Sequence, residues 1–262
     1  MIKKRKILLL GCFLSGVFFA YSQGEFSLTR EPDNYNLNVF SAKLNSNGFG
    51  LNYSFQMRKF YRLRRVFETE YNYLIDIKEV KVVNPQFQLI SNKPFVLGKL
   101  YSAHNLNFGY GYNRMFFEKR DNNSISIHLL TTIGISLCFL KPIYYQKFDE
   151  KEEKLYYEKF DINSTTINNI MGKASFFMGI KEIKVVPGLY VKLGAEFDFA
   201  KDIMQTSVLS AGIELQAYMK QIEIMVENKK FLLPSFYIMY SFGKKYDSKL
   251  NREYRRAMKK KS

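Results

Sequence analysis

Ser124–Phe139 reads SISIHLLTTIGISLCF, and it alternates over almost all of its sixteen positions. Ile125, Ile127, Leu129, Ile133, Ile135, Leu137 and Phe139 share one parity, while Ser124, Ser126, His128, Thr132, Gly134 and Ser136 share the other. A period of two is the signature of a β-strand, whose side chains point alternately to opposite faces. Strands of soluble sheets run to about 5–6 residues, whereas a tilted membrane-crossing strand needs about 9–11. The stretch is therefore expected to be one stave of a transmembrane barrel.

The same pattern recurs along the chain. Tyr35–Leu44 alternates until its parity slips at Phe40-Ser41-Ala42, as a β-bulge would allow. After the turn signal Asn45-Ser46-Asn47-Gly48, Phe49–Met57 turns Phe49, Leu51, Tyr53 and Phe55 outward and Asn52, Ser54 and Gln56 inward. Leu63–Tyr73, Leu100–Met115, Leu189–Phe199, Val208–Met219 and Ser235–Phe242 follow, making about eight strands with the opening stretch. The connections at Arg58–Arg62, Glu118–Asn123 and Ala200–Ser207 are short, and those at Ile75–Lys99, Ile143–Pro187 and Lys220–Pro234 are long. Short periplasmic turns and long extracellular loops are the expected asymmetry of an outer-membrane barrel. Ile143–Pro187 reads as irregular, with a short helix near Thr165–Met171; pairing part of it as an extra hairpin would give ten strands.

The first six residues carry four positive charges, Ile7–Ala20 is apolar, and Ala20-Tyr21-Ser22 supplies small residues at −3 and −1. These features predict a signal peptide over 1–22. Leu9-Leu10-Gly11-Cys12 has the form of a lipobox, but cleavage there would leave half of the apolar segment on the product. The mature chain then divides into a barrel over 23–243 and a basic periplasmic tail over 244–262. Hydrophobic content is 47 %, mean hydropathy is −0.23, and 24 Phe with 19 Tyr make the chain rich in aromatics. Barrels have this mixed composition, because they show apolar and aromatic groups to lipid and polar ones to the lumen. Of the net charge of +16, the first six residues hold +4. Lys244–Ser262, with nine basic and two acidic residues, holds +7 and leaves +5 between. A basic excess gathered at the two ends is no nucleic-acid groove.

The pieces GFGLNYSF (Gly48–Phe55), NKPFVLGKLYS (Asn92–Ser102), LKPIYY (Leu140–Tyr145), IKEIKVVPGLYVKLG (Ile180–Gly194) and FYIMYSFGKKY (Phe236–Tyr246) resemble outer-membrane β-barrel proteins of Bacteroidota. The resemblance spans most of the mature chain. It implies an outer-membrane barrel and carries no catalytic residue over to this one.

Only His104 and His128 are available for histidine chemistry. Pairing about the Lys119–Asn122 turn would set His128 opposite Asn113 and His104 opposite Leu137, too far apart for a shared metal, so His128 reads as a lumen histidine bonded to Asn. No catalytic residue, cofactor or metal ligand is assigned. Inward Glu68, Glu70, Lys192, Glu196, Asp198 and Glu214 are residue types capable of acid–base work, but small barrels fill their interiors with side chains, and buried charges must pair. A lumen ion pair between Lys192 and Glu214 is expected. Two near-identical strings, Ile77–Val83 and Ile180–Val186, could pair with each other above the membrane or offer an edge to a partner. In the tail, Leu250, Tyr254 and Met258 recur every four residues among Lys244, Lys245, Arg252, Arg255, Arg256, Lys259, Lys260 and Lys261. Such a tail could dock on an anionic partner.

Together these features are read as a non-enzymatic barrel in contact with outer-membrane lipid and other envelope proteins. Its expected role is that of a subunit or scaffold in outer-membrane protein assembly or secretion. A narrow channel or transporter is the alternative, and a rim-located enzyme comes third for want of a nucleophile motif.

Overall fold

The computed structural model describes residues 35–87, 93–119, 124–149, 154–160, 169–200, 205–226 and 228–247. The expected signal peptide, the lipobox-like Cys12 and tail residues Arg252, Arg255, Arg256, Lys259, Lys260 and Lys261 lie outside the described residues. In chain order the strands are β1 (Tyr35–Asn45), β2 (Gly48–Phe60), β3 (Leu63–Leu74), β4 (Lys81–Val82), β5 (Phe95–Val96), β6 (Tyr101–Phe117), β7 (Ser126–Pro142), β8 (Tyr144–Asp149), β9 (Lys154–Lys159), β10 (Ile170–Lys173), β11 (Lys184–Asp198), β12 (Gln205–Glu223) and β13 (Lys229–Asp247). Eight of them close into one antiparallel barrel in the order β1-β13-β12-β11-β7-β6-β3-β2, with β2 back on β1.

The wall is inside-out relative to a soluble domain. Leu44, Leu51, Ile133, Leu189 and Phe236, from five different strands, are each at least 60 % exposed. Asn52, Glu68, Glu70, Asn105, Thr132, Lys192 and Glu214 are buried in the lumen. Aromatics lean on one another along the outer face, with Phe40 on Tyr53 at 4.8 Å and Phe67 on Tyr110 at 5.0 Å between ring centroids. A continuous apolar surface with a polar interior is the surface a barrel turns to hydrocarbon.

The structure corrects several expectations. No bulge interrupts β1, which pairs without a shift on both sides. Leu37, Val39, Ser41 and Lys43 therefore all point inward, and Phe40 and Leu44 point out. The apparent slip arose because the lower lumen takes apolar residues too: Leu37 and Val39 line it beside Val66, Leu130 and Met239. The β6–β7 ladder sets His128 opposite Met115 and His104 opposite Phe139, two residues from the expected register, with an irregularity at Met115–Phe117 beside the turn. Lys244 and Lys245 do not belong to a tail. They continue β13 and pair with Asn38 and Leu37 of β1.

The long connections are folded rather than irregular. β8 pairs with β9 on one side and β10 on the other, making a three-stranded sheet outside the barrel, so the barrel has eight strands and not ten. Ile170 and Met171 lie in β10 instead of a helix, while 165–168 fall outside the described residues. Lys220–Pro234 is mostly the paired end of the β12–β13 hairpin. The two similar strings do not meet. Lys81–Val82 pairs with Phe95–Val96, Ile180–Glu182 forms a 3-10 turn, and Lys184–Val186 begins β11 against β7. Their surroundings decide: Val186 is buried in the barrel mouth, whereas Ile77 is exposed.

Candidate functional site

The lumen is filled in layers. At its centre five charged side chains converge: Glu68 and Glu70 from β3, Lys43 from β1, Lys192 from β11 and Glu214 from β12. Lys43 binds Glu70 and sits 2.5 Å from Glu214 Oε2, and Lys192 lies 2.6 Å from Glu68 and 3.0 Å from Glu70. Lys192 is opposite Glu214 in the β11–β12 ladder, but its ammonium reaches across the lumen instead, and Lys43 takes Glu214. A lysine stem is long enough to span a small barrel, and the far side offers two carboxylates to one.

Three carboxyl groups against two ammoniums leave lone pairs to satisfy. Thr132 (2.7 Å) and Tyr190 (2.9 Å) donate to Glu68, Asn52 to both Glu68 (3.1 Å) and Glu70 (3.3 Å), Asn72 to Glu70 (2.6 Å), and Asn107 to Glu214 (3.2 Å). The Tyr237 ring flanks both lysines, with centroids 5.4 Å from Lys43 and 5.8 Å from Lys192. Buried charge survives only when it is paired and hydrogen-bonded in this way. Two glycines make the room. A Cβ on Gly109 would lie 1.8 Å from the Tyr190 hydroxyl, and one on Gly194 2.0 Å from that of Tyr237.

Glu196 and Asp198 do not join this centre; they belong to the layer towards the short turns. Asn113 donates to Glu196 at 2.5 Å and so presents its oxygen to His128 Nδ1 at 3.1 Å. His128 Nδ1 must then be the donor, leaving Nε2 to accept from Ser126 at 3.0 Å. The His128–Asn113 bond forms on the diagonal, because the backbone partner of His128 is Met115. Lys119 reaches Asp198 at 3.1 Å. A cavity of about 20 Å³ remains here, the space of about one water. His104 faces outward and accepts or donates to Tyr71 at 2.7 Å. Among the described residues, no three His, Cys, Asp or Glu side chains are grouped to hold a metal ion.

Towards the long loops, Asn105, Ser136, Gln216 and Tyr218 bond to one another. Above them an apolar cluster of Leu74, Ala103, Cys138, Leu140, Val186, Tyr218, Ile222, Ile224, Met225 and Leu233 closes the mouth. The β12–β13 hairpin bends over this opening. Ile224 O accepts from Leu100 N at 2.9 Å, and Val226 N donates to Gly98 O at 2.9 Å.

The cap continues outward on its own small core of Phe95, Ile143, Tyr145 and Ile170. Tyr145 donates to the carbonyls of Val96 (2.6 Å) and Lys99 (2.9 Å), and burial holds its phenol above the ordinary range. Lys99 pairs with Glu79 at 2.5 Å. A cavity of about 200 Å³ lies among Tyr73, Lys81, Lys99, Phe95, Tyr145 and Lys173. Of the residues in these layers, Lys43, Tyr190 and Tyr237 were missed from sequence, whereas the inward parity of the Asn donors was legible; only an unbroken phase through β1 could have flagged Lys43.

No protein-family model matches the chain, and no curated protein does. Several solved barrels are similar in structure. Neisserial surface protein A aligns at 10 % identity and a TM-score of 0.39, over 81 % of this chain and 96 % of that one. The attachment invasion locus protein Ail of Yersinia pestis, in complex with the heparin analogue sucrose octasulfate, aligns at 7 % and 0.36, over 81 % and 99 %. The outer-membrane enzyme PagL aligns at 12 % and 0.32, over 78 % and 97 %. Likenesses this distant carry no argument of their own, and the barrel rests on its closed ladder.

Proposed function

We propose that this chain is an outer-membrane barrel that works by contact, as a subunit or scaffold of an envelope assembly engaged in outer-membrane protein assembly or secretion. Its apolar outer belt supports the location, and the resemblance of its sequence pieces to Bacteroidota barrels agrees with it. The observation that carries the role is the closed lumen: a paired charge network fills its centre, and Ile222, Ile224 and Met225 help seal its mouth. A barrel that passes solutes needs a wet path, so what this one offers is its wall and its folded cap.

Planar-bilayer recording tests the first half of this reading, with no unitary conductance expected from the purified barrel; discrete openings would overturn it in favour of a narrow channel. A mild-detergent pull-down from native membranes tests the second half. It compares the full chain with one ending after Asp247, which keeps all of β13. Stoichiometric envelope proteins should accompany the full chain, and a clean monomer from both would sink the subunit role.

One observation favours a second reading, that of a hydrolase: Ser126, His128 and Asn113 form a bonded series with the types and order of nucleophile, base and orienter. Ser126 is 5 % exposed, and its backbone lies in the β7–β11 ladder opposite Asp198, which leaves little to stabilise an oxyanion. Labelling by a fluorophosphonate that is lost in Ser126→Ala would establish the hydrolase; absence of labelling removes it.

A further inference from the structure

The cavity of about 200 Å³ in the cap is lined from both small sheets, with Lys81, Phe95 and Val96 coming from β4 and β5, and Tyr145 and Lys173 from β8 and β10. The ladders say which way the two lysines face. Lys81 stands opposite Val96 and Lys173 opposite Tyr145, and directly opposed residues of an antiparallel pair share a face. The Tyr145 hydroxyl ties the two sheets together by donating to Val96 O at 2.6 Å. Two ammoniums from different sheets thus meet one cavity, beside an apolar wall of Phe95, Ile143 and Tyr145.

A third lysine lies deeper. Lys99 is 5 % exposed, and its ammonium sits 2.5 Å from Glu79 and 3.3 Å from the Tyr73 hydroxyl. Having accepted from Lys99, that hydroxyl keeps its own proton for a ligand. Glu79 is the one acidic side chain on the lining, and Lys99 neutralises it. Lys81 and Lys173 are left as positive charges with no acidic partner among the described residues. Charges of one sign gathered around a hollow with low-dielectric walls focus their field into it and draw in anions.

The arrangement selects among anions. A phosphate monoester carries about −1.5 to −2 charges and three acceptor oxygens, enough to meet Lys81, Lys173 and Tyr73 together. A carboxylate has one charge and two oxygens. The cavity is also several times the share of one water, about 30 Å³, so a bare phosphate would leave the apolar wall wet. There Phe95 and Tyr145 stand edge to face with centroids 6.1 Å apart, a surface suited to the C–H face of a sugar ring.

We propose that this cavity binds a phosphorylated sugar, its phosphate held by Lys81, Lys173 and Tyr73 and its ring set against Phe95, Ile143 and Tyr145. A free sugar phosphate and the sugar headgroup of an outer-leaflet lipid offer the same chemistry. The site does not depend on the envelope-subunit reading, because binding is measured on the pure protein.

Titration calorimetry of the full-length protein in an amine-oxide detergent, free of phosphate and sugar, tests the site. Glucose 1-phosphate is the free probe, and lipid A in mixed micelles is the lipid-borne one. Saturable heat with the first identifies a free ligand; saturable heat with the second alone identifies a headgroup. Lys81→Gln and Lys173→Gln should each weaken the bound probe by about 5- to 10-fold, the worth of a hydrogen bond to a charged group. Lys59→Gln, at the short-turn end of β2, should leave it unchanged. Glu79→Gln should tighten binding by freeing Lys99, a gain no misfolded variant would give, and glutamine keeps an oxygen to accept from Asp76 N as Glu79 does at 3.1 Å. No saturable heat with either probe, or equal losses from Lys81→Gln and Lys59→Gln, overturns the site. Inorganic phosphate binding as tightly as glucose 1-phosphate overturns the sugar.

Discussion

Lys192 lies directly across the β11–β12 ladder from Glu214, yet its ammonium sits 2.6 Å from Glu68 on β3, a strand hydrogen-bonded to neither β11 nor β12. The side chain is thus a strut through the lumen. Lys192→Met should leave Glu68 and Glu70 short of a cation and cost about 3–5 kcal/mol, as removal of one partner from a buried pair does. Urea unfolding in detergent reads this as a lowered midpoint. Lys43→Met should cost a similar amount, and the double variant less than the two together, since both lysines serve Glu70. An unchanged midpoint for Lys192→Met would contradict the strut.

Gly194 gives the Tyr237 ring its place, for a Cβ there would lie 2.0 Å from the phenol oxygen. Gly194→Ala should destabilise the barrel by about 1–3 kcal/mol, the usual cost of overpacking. The Tyr237 hydroxyl has no hydrogen-bond partner among the described residues. Tyr237→Phe should therefore be nearly neutral alone and should recover part of the loss when combined with Gly194→Ala. Additive costs in the double-mutant cycle would rule out the steric link.

The seam of the barrel closes between β1 and β13, where Asn38 pairs with Lys244, Leu37 with Lys245 and Tyr35 with Asp247. A chain ending after Gly243 should open this seam, with lower yield of the heat-modifiable folded form on gels and a lower melting temperature. A chain ending after Asp247 should match the full length in both. Equal behaviour of the two truncations would show that these pairs add nothing.

Tyr145 ties β8 to the 96–99 segment through two carbonyls. Tyr145→Phe should loosen the cap locally by about 1–2 kcal/mol, the cost of leaving buried acceptors without a donor. Hydrogen exchange should then quicken by about 5- to 30-fold at amides in the cap and stay unchanged in the barrel wall. Acceleration spread evenly over both would mean that the cap is not a separate unit.

On the cap's surface, Lys159 pairs with Glu182, and the Tyr144 hydroxyl adds a bond at 2.6 Å. The Lys159 hydrogen bond, then that of Tyr144, holds the Glu182 carboxyl below its usual range, and Glu182 in turn raises the Lys159 ammonium. The depressed acid contributes above its unfolded value and is lost as pH falls through the folded one. The raised base contributes below its unfolded value and is lost as pH rises through its own folded one. The contact should persist at neutral pH and fail at both extremes, and molar salt should weaken it because both groups are exposed. Chemical shifts of labelled Lys159 and Glu182 followed against pH would reveal this; independent titration at ordinary values would exclude the pair.

Period-two alternation was enough to place the eight staves and, except in β1 where apolar Leu37 and Val39 face the lumen, their facing, since burying one parity and exposing the other is a local property that each strand carries in its own residues. Phe49–Met57 and Ser124–Phe139 could be read this way without reference to any neighbour. The tertiary structure decided what lies opposite what. Lys192 finds Glu68 rather than Glu214, and Lys43 enters the charged centre, because the width of the lumen and the reach of a lysine, not nearness in a ladder, determine the partners of a buried charge. It also decided the cap: the similar strings at Ile77–Val83 and Ile180–Val186 take different structures, since a short segment without a periodic face of its own adopts the conformation its surroundings satisfy.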